Sequence, residues 1–384
     1  MDLLAFSEFK SGRLVPISFH GKSDHAFIPN PLPPASVSND RFWPLLLEAS
    51  KKLERLSVKG DQLPDVNLLL RPLQRREALT SNSLEGTFVT PQELLLFEAK
   101  DSDGPPKGEP GQRDDWREVF AYDFALRTGC EWIKSGQNID LQFIQKLHLL
   151  LMNASARGQE KSPGQFRTTQ VVVGTDRRYV PPPPEELRNS LANLEIYTMA
   201  PPTELGPLLA AYIAHYQFEA IHPFQDGNGR IGRLILSLCI YKWLGHQTPC
   251  LYMSEFFEKH RKDYISHLFR ISTHGEWNDW LEFCLKGTIE QATASIQRCE
   301  ALEALRKKYE TVLGSSGGRS LLLLDELFKS PFITVVEVKK KFDVTYRPAK
   351  AYLEKLVAAG ILMEMKNHYP RTYMAPAIFD TAYN

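Results

Sequence analysis

Twelve consecutive residues carry most of the chemistry: His222-Pro223-Phe224-Gln225-Asp226-Gly227-Asn228-Gly229-Arg230-Ile231-Gly232-Arg233. His222 can accept a proton near neutral pH. Asp226 is a hard oxygen ligand, and Mg²⁺ is usually held by one or two carboxylates together with substrate phosphates. Gly227, Asn228 and Gly229 form a tight turn where glycine permits positive φ or close backbone approach. The turn opens a helix, whose first N–H groups lack intrahelical partners and bind anions with help from the helix dipole. Arg230 and Arg233 lie three apart on one helix face and can add charge-assisted bonds to phosphate oxygens. A base, a metal ligand, an N–H cradle and two arginines are the equipment of nucleotide phosphate chemistry.

The flanking elements must hold that turn. Leu208, Leu209, Tyr212, Ile213, Tyr216 and Ile221 predict an apolar-faced helix leading in; Leu234, Ile235, Leu238, Ile240 and Trp243 predict one leading out. This context matters because Gly227-x-Gly229-x-x-Gly232 also fits the dinucleotide-binding G-x-G-x-x-G, with Glu255 downstream. That fingerprint needs a strand just before it, and the preceding period is helical.

Most of the remaining chain also reads as helix: 41–57, 66–79, a short piece at 80–86, then 115–134, 140–153, 185–198, 205–221, 228–244, 256–272 and 276–310. Residues 1–40 read as loop, with Pro29, Pro31, Pro33 and Pro34 barring helix interior. The stretch 168–180, with β-branched residues either side of Gly174-Thr175-Asp176, reads as a short hairpin. Residues 101–113 read as a surface insertion and Gly314–Gly318 as a flexible linker. Beyond it come helices at 320–329, 334–341 and 346–359, then strand-like runs at 361–366 and 371–375, a winged-helix order. The expected organisation is therefore mainly α: an N-terminal helical segment over 1–110, a helical core over 111–312 and a winged helix over 319–384.

Composition sets the outer bounds. The 384 residues hold 46 Lys+Arg and 46 Asp+Glu, with 43% hydrophobic and 24% charged residues. No net field steers polyanions to the molecule, and a disordered polymer is excluded. Over 301–384, 13 Lys+Arg stand against 9 Asp+Glu, and Arg347, Lys350 and Lys355 offer few phosphate contacts, so DNA binding is a lesser alternative to docking or dimerisation. Cys130, Cys239, Cys250, Cys284 and Cys299 form no metal or disulfide pattern. With no signal peptide or membrane-length apolar run, the expectation is a cytoplasmic protein with reduced thiols and no membrane partner.

The central segment resembles the Fic family, whose signature H-x-F-x-[DE]-G-N-G-R-x-x-R it meets at every fixed position. Pro163-Gly164-Gln165-Phe166-Arg167 and Tyr179-Val180-Pro181-Pro182 are similar to the segments around the family's target-positioning flap. Leu251-Tyr252-Met253-Ser254 through Tyr264 resembles the stretch after the core. Ser81-Asn82-Ser83-Leu84-Glu85-Gly86 resembles the inhibitory motif [ST]-x-x-x-E-[GN] of the class with an N-terminal inhibitory helix.

The resemblance implies a Fic-type core and transfer of AMP from ATP to a Tyr, Ser or Thr hydroxyl of a target protein, which could be the chain itself; a homodimer is compatible. It implies His222 as general base and Asp226 as Mg²⁺ ligand. Gly227, Asn228 (side chain as well as backbone) and Gly229 would cradle the α-phosphate. Arg230 would contact phosphates, Arg233 would hold the γ-phosphate, and Phe224 would fix the loop from the core. Glu85, with Ser81 and Gly86 in its motif, would inhibit by pairing with Arg233, or orient water to remove AMP from a modified target. Tyr264 either stacks on adenine or packs the core. Thr169, Val171 and Val173 either stabilise the hairpin or dock a target strand. A DNA-binding regulator built on the winged helix and an AMP-removing hydrolase are the competing readings.

Overall fold

A computed structural model describes residues 1–6, 11–19, 21–61, 67–100, 115–154, 156–174, 177–246, 251–314, 318–366 and 368–383. The chain opens with a hairpin of β1 (Gly12–Phe19) and β2 (Lys22–Pro29). Helices follow: α1 (Trp43–Asp61), α2 (Asn67–Leu84), α3 (Pro91–Lys100), α4 (Asp115–Lys134), α5 (Leu141–Met152), α6 (Ala156–Gln159), α7 (Pro184–Met199), α8 (Gly206–Ile221), α9 (Asn228–Leu244), α10 (Ser254–Lys259), α11 (Arg261–His274) and α12 (Trp277–Leu313). The last part runs α13 (Arg319–Lys329), β3 (Phe332–Thr334), α14 (Val335–Phe342), α15 (Tyr346–Ala358), β4 (Met363–Glu364), β5 (Thr372–Met374) and α16 (Pro376–Tyr383), with β5 between β3 and β4, both pairings antiparallel.

The centre is the pair α8 and α9. Nearly every residue of α8 from Leu208 to Ile221 is buried, as is α9 from Ile231 to Tyr241. A helix apolar on all sides needs neighbours on all sides. For α8 these are β2, α7, α11 and α12; for α9 they are α4, α5 and α2. A second core forms where Ile296, Cys299, Leu302, Tyr309 and Leu313 meet Leu323, Leu327, Phe332, Leu353, Tyr373 and Phe379, so the long α12 serves both. Two adjacent α2 residues reach the chain's end: Arg75 donates to the Lys329 carbonyl and to Tyr383 Oη (3.4 Å), and Arg76 to the Tyr383 carbonyl (2.7 Å).

Four expectations need correction. Residues 1–40 are not all loop: β1 and β2 pair over eight positions, from Gly12–Pro29 to Phe19–Lys22. Prolines at 16 and 29 mask the signal but suit an edge strand. A two-stranded ribbon is marginal alone; this one is held by buried Phe27, whose ring packs tilted against Phe6 and Tyr179 and whose N–H donates to Val180 O (2.9 Å). Second, 80–86 holds no separate helix: 80–84 form the last turn of α2, and Glu85 and Gly86 the turn after it. Its turn-favouring residues are spent inside the helix, Thr80 Oγ1 donating to Arg76 O and Asn82 Nδ2 to Ala78 O.

Third, among the described residues the hairpin at 168–180 shrinks to one bridge, Val173 with Tyr179. Side chains take the carbonyls that a ladder would use: Gln170 Nε2 donates to Val171 O and Pro181 O, and Arg167 to Thr169 O and Pro182 O. Fourth, the helix expected over 256–272 breaks at His260 into α10 and α11. α3 and α16 were not foreseen. The insertion at 101–113 and most of the linker at 314–318 lie outside the described residues. Cys130, Cys239, Cys284 and Cys299 are free and buried. Among the described residues, no helix is long and apolar enough to cross a membrane.

Candidate active site

α8 ends at His222, which takes the left-handed conformation (φ 50°), unusual for a residue with a side chain. Its Nδ1 lies 3.4 Å from the Glu219 carbonyl oxygen, which can only accept. The neutral ring therefore carries its hydrogen on Nδ1 and its lone pair on Nε2. Burial, then the charge of Arg167, holds the imidazole down at about 4, so it is neutral at pH 7 and its lone pair is free of a proton.

The loop after His222 is rigid. Phe224 is fully buried, stacked on His148 at 3.8 Å and close to Phe166. Its peptide exchanges two bonds with one side chain: Phe224 N–H donates to Asn228 Oδ1 (2.8 Å) and Asn228 Nδ2 donates to Phe224 O (2.9 Å). The Asn228 amide is thus spent on the loop rather than on the phosphate position that the resemblance implies. Gly227 caps α9 at φ 75°, and a Cβ there would collide with Met152 Sδ and crowd His148. The Asp226 carboxylate accepts from Gly227 N–H (2.6 Å) at the half-exposed lip.

Glu85 lies against the start of α9. Its Oε1 accepts from Arg233 Nη2 at 2.7 Å, and a Cβ on Gly229 would collide with the same oxygen. Burial alone would raise the Glu85 carboxyl; the charge and hydrogen bond of Arg233 outweigh it and hold the group below its usual range. Ser81, one turn earlier, completes the grip: Arg233 Nε donates to Ser81 Oγ and Nη2 to Ser81 O, both at 2.8 Å. Gly86, at φ 86°, stops α2 so that Glu85 projects at the helix end. Glu77, two turns before Glu85, anchors this end of the helix from below, accepting from Ser254 N–H (3.0 Å) and Tyr122 Oη (2.8 Å).

Arg230 is committed to protein groups, donating to Glu118 at 2.8 Å and to Asn82 at 3.5 Å. Tyr264 requires a correction. It is buried in the core, stacked on Phe257 at 4.4 Å, with its hydroxyl 2.9 Å from His215 Nε2, leaving no face for adenine. Sequence reasoning missed His148, which accepts from Gly164 N–H at Nδ1 (2.8 Å) and meets the Asp226 carbonyl with Nε2 (3.1 Å). It also gave no site role to Arg167 or Glu219, whose partners are distant in sequence or identifiable only in three dimensions. Among the described residues no group of three or more His, Cys, Asp or Glu could hold a metal by itself. A single carboxylate at an anion-binding lip still suits Mg²⁺ brought with phosphates.

Comparison with known proteins agrees with this geometry. The Fic/DOC family profile matches residues 138–240 and the Fic/DOC N-terminal profile residues 43–131, together half of the chain. A protein named protein adenylyltransferase Fic from Nematostella vectensis is 26% identical over 309 residues, covering 76% of this chain and 68% of its own length. One of the same name from Culex quinquefasciatus is 25% identical over 62% of this chain; there the chain spans about half of the relative's length (47%). A solved Fic family protein from Desulfovibrio desulfuricans superposes with a TM-score of 0.57 at 20% identity, covering 90% of this chain and 98% of its own. Fic-1 from Caenorhabditis elegans gives 0.51 at 23% identity, over 68% of this chain and 76% of its own.

Proposed function

The chain belongs to the Fic/DOC family, and from that premise we propose that it is a protein adenylyltransferase, moving AMP from ATP to a hydroxyl of a target protein and restrained by Glu85. The observation that carries this reading is the His222–Arg233 loop itself. A neutral imidazole with its lone pair on Nε2 ends α8, and the N-terminus of α9 follows within a few residues. His222 would take the proton of the acceptor hydroxyl as its oxygen attacks the α-phosphorus. The bond to the bridging oxygen breaks, pyrophosphate leaves, and a phosphodiester joins AMP to the target. Charge on the α-phosphate would be met by the backbone N–H groups of Asn228 and Gly229, in a turn fixed in advance by the Asn228–Phe224 exchange. Asp226 would hold Mg²⁺ against the phosphates, and a cation bound there neutralises phosphate charge.

The restraint is supported by the 2.7 Å Glu85–Arg233 pair and the contact of the same carboxylate with Gly229. With Arg233 so engaged, the γ-phosphate lacks its partner and in-line attack its geometry. We read 319–384 as a winged helix on the element order α13-β3-α14-α15-β4-β5. Lys341 and Lys350 pair with Glu326 and Glu354, which favours protein docking over DNA contact. The test is ATP labelled at the α- or the γ-phosphate, given to Glu85→Gly with cell lysate. Protein that keeps α-label and no γ-label supports the reading; γ-label on protein, or salt-dependent binding to DNA with no transfer, refutes it.

A further inference from the structure

The end of α8 hands out five consecutive carbonyl oxygens, and all five are taken. His222 Nδ1 faces Glu219 O at 3.4 Å and Tyr179 Oη donates to Ala220 O at 2.8 Å. The remaining three go to one residue: Arg167 Nη2 donates to Ile221 O (3.4 Å), its Nε to His222 O (2.9 Å) and its backbone N–H to Pro223 O (2.9 Å). The same guanidinium continues outward, Nη1 to Thr169 O (3.2 Å) and Nη2 to Pro182 O (2.5 Å). Thr169 and Pro182 stand on opposite arms of the segment that the single Val173–Tyr179 bridge closes. Arg167 is only 3% exposed, and these partners are neutral carbonyls, so a costly buried cation is held by a planar fork of donors that lysine cannot reproduce.

We propose that Arg167 is a positioning residue for AMP transfer: it ties both arms of segment 168–182 to the backbone of His222, and so fixes a docked acceptor hydroxyl relative to the imidazole. The proposal rests on the transferase reading given above. A displacement of the order of 1 Å between reacting groups costs about a hundredfold in rate. The guanidinium also faces the imidazole electrostatically. Arg167 opposes its protonation, while the carboxylates of Glu85 and Asp226 favour it, and burial with Arg167 prevails.

Two variants of the full chain separate the roles. Arg167→Met removes charge and fork; Arg167→Lys keeps the charge and loses the fork. One readout is the NMR titration of the His222 ring, identified by its loss in His222→Ala. The other, in the Glu85→Gly background, is α-label transferred to the chain itself, beside equilibrium binding of ATP. Arg167→Met is expected to raise the His222 midpoint above about 4 yet leave it below its ordinary 6.5, because burial remains, and Arg167→Lys to leave it unmoved. Both are expected to cut labelling about a hundredfold while ATP affinity stays within about twofold. An unmoved midpoint in Arg167→Met, full labelling in Arg167→Lys, or labelling that falls only in step with ATP binding overturns the proposal. If Arg167→Met fails to fold, the Lys variant decides through labelling against binding. If Glu85→Gly with Arg167 intact transfers no label, the transferase reading fails and the role of Arg167 in transfer fails with it; label lost only in the Arg167 variants tests Arg167 itself.

Discussion

Replacing Glu85 with glycine deletes one bond donated by Arg233 and leaves the two that Arg233 donates to Ser81. A hydrogen bond to a charged partner is worth about 1.5–3 kcal/mol. The Glu85 side chain is 38% exposed while Arg233 is 3% exposed, so water competes for the carboxylate and screening discounts the bond to about 1–1.5 kcal/mol. Any ligand group that must displace Glu85 from Arg233 pays that energy in the wild type. At about 1.4 kcal/mol per factor of ten, Glu85→Gly should bind ATP about five- to tenfold more tightly. AMP has no γ-phosphate to place on Arg233, so its affinity should change by less than about twofold. Equilibrium binding of both nucleotides to both proteins, without target, measures the difference. An equal gain for AMP and ATP would refute competition at Arg233 and point instead to Glu85 blocking the α9 N-terminus.

Three further outcomes follow from the same contacts. Asn228→Ala strands the buried N–H and carbonyl of Phe224 and should destabilise the fold by about 1–3 kcal/mol in denaturant titration; a loss near zero would mean that the loop is not held this way. Gly229→Ala places a methyl against Glu85 Oε1, so Glu85 should shift, yet ATP binding should fall because the same methyl crowds the start of α9; tighter ATP binding would contradict that crowding. His148 and His222 are pushed down to about 4 and His215 to about 3, chiefly by burial. The unfolded chain takes up these protons near 6.5 and the folded chain does not, so stability should be full above that pH and fall as pH drops toward 4. A melting temperature flat across that window would exclude these histidines as the cause.

What could be read in advance was local. The apolar spacing around Leu208–Ile221 and Leu234–Trp243 fixed α8 and α9, and the glycines between them announced a turn. Position in that turn was legible for Gly227, because its positive φ favours glycine. Contacts across the fold were not. Nothing adjacent to Glu118 marks it as the partner of Arg230, and His148 looks like any residue on a helical face. Tyr264 carries the same ring whether it stacks on a base or fills a core; only Phe257 and His215 decide it. The β1–β2 ribbon was hidden by Pro16 and Pro29, and exists because Phe27 finds Phe6 and Tyr179. The flap segment failed as a hairpin because Arg167 and Gln170 claim its carbonyls, a competition that β-branched alternation does not report.

The most direct measurement is transfer of α-label from ATP to protein by wild type, Glu85→Gly and Glu85→Gly/His222→Ala side by side. A base at His222 and a brake at Glu85 require little label with the wild type, strong labelling with Glu85→Gly, and loss of that labelling in the double variant. Equal labelling by wild type and Glu85→Gly, or labelling that survives the loss of His222, would contradict the account.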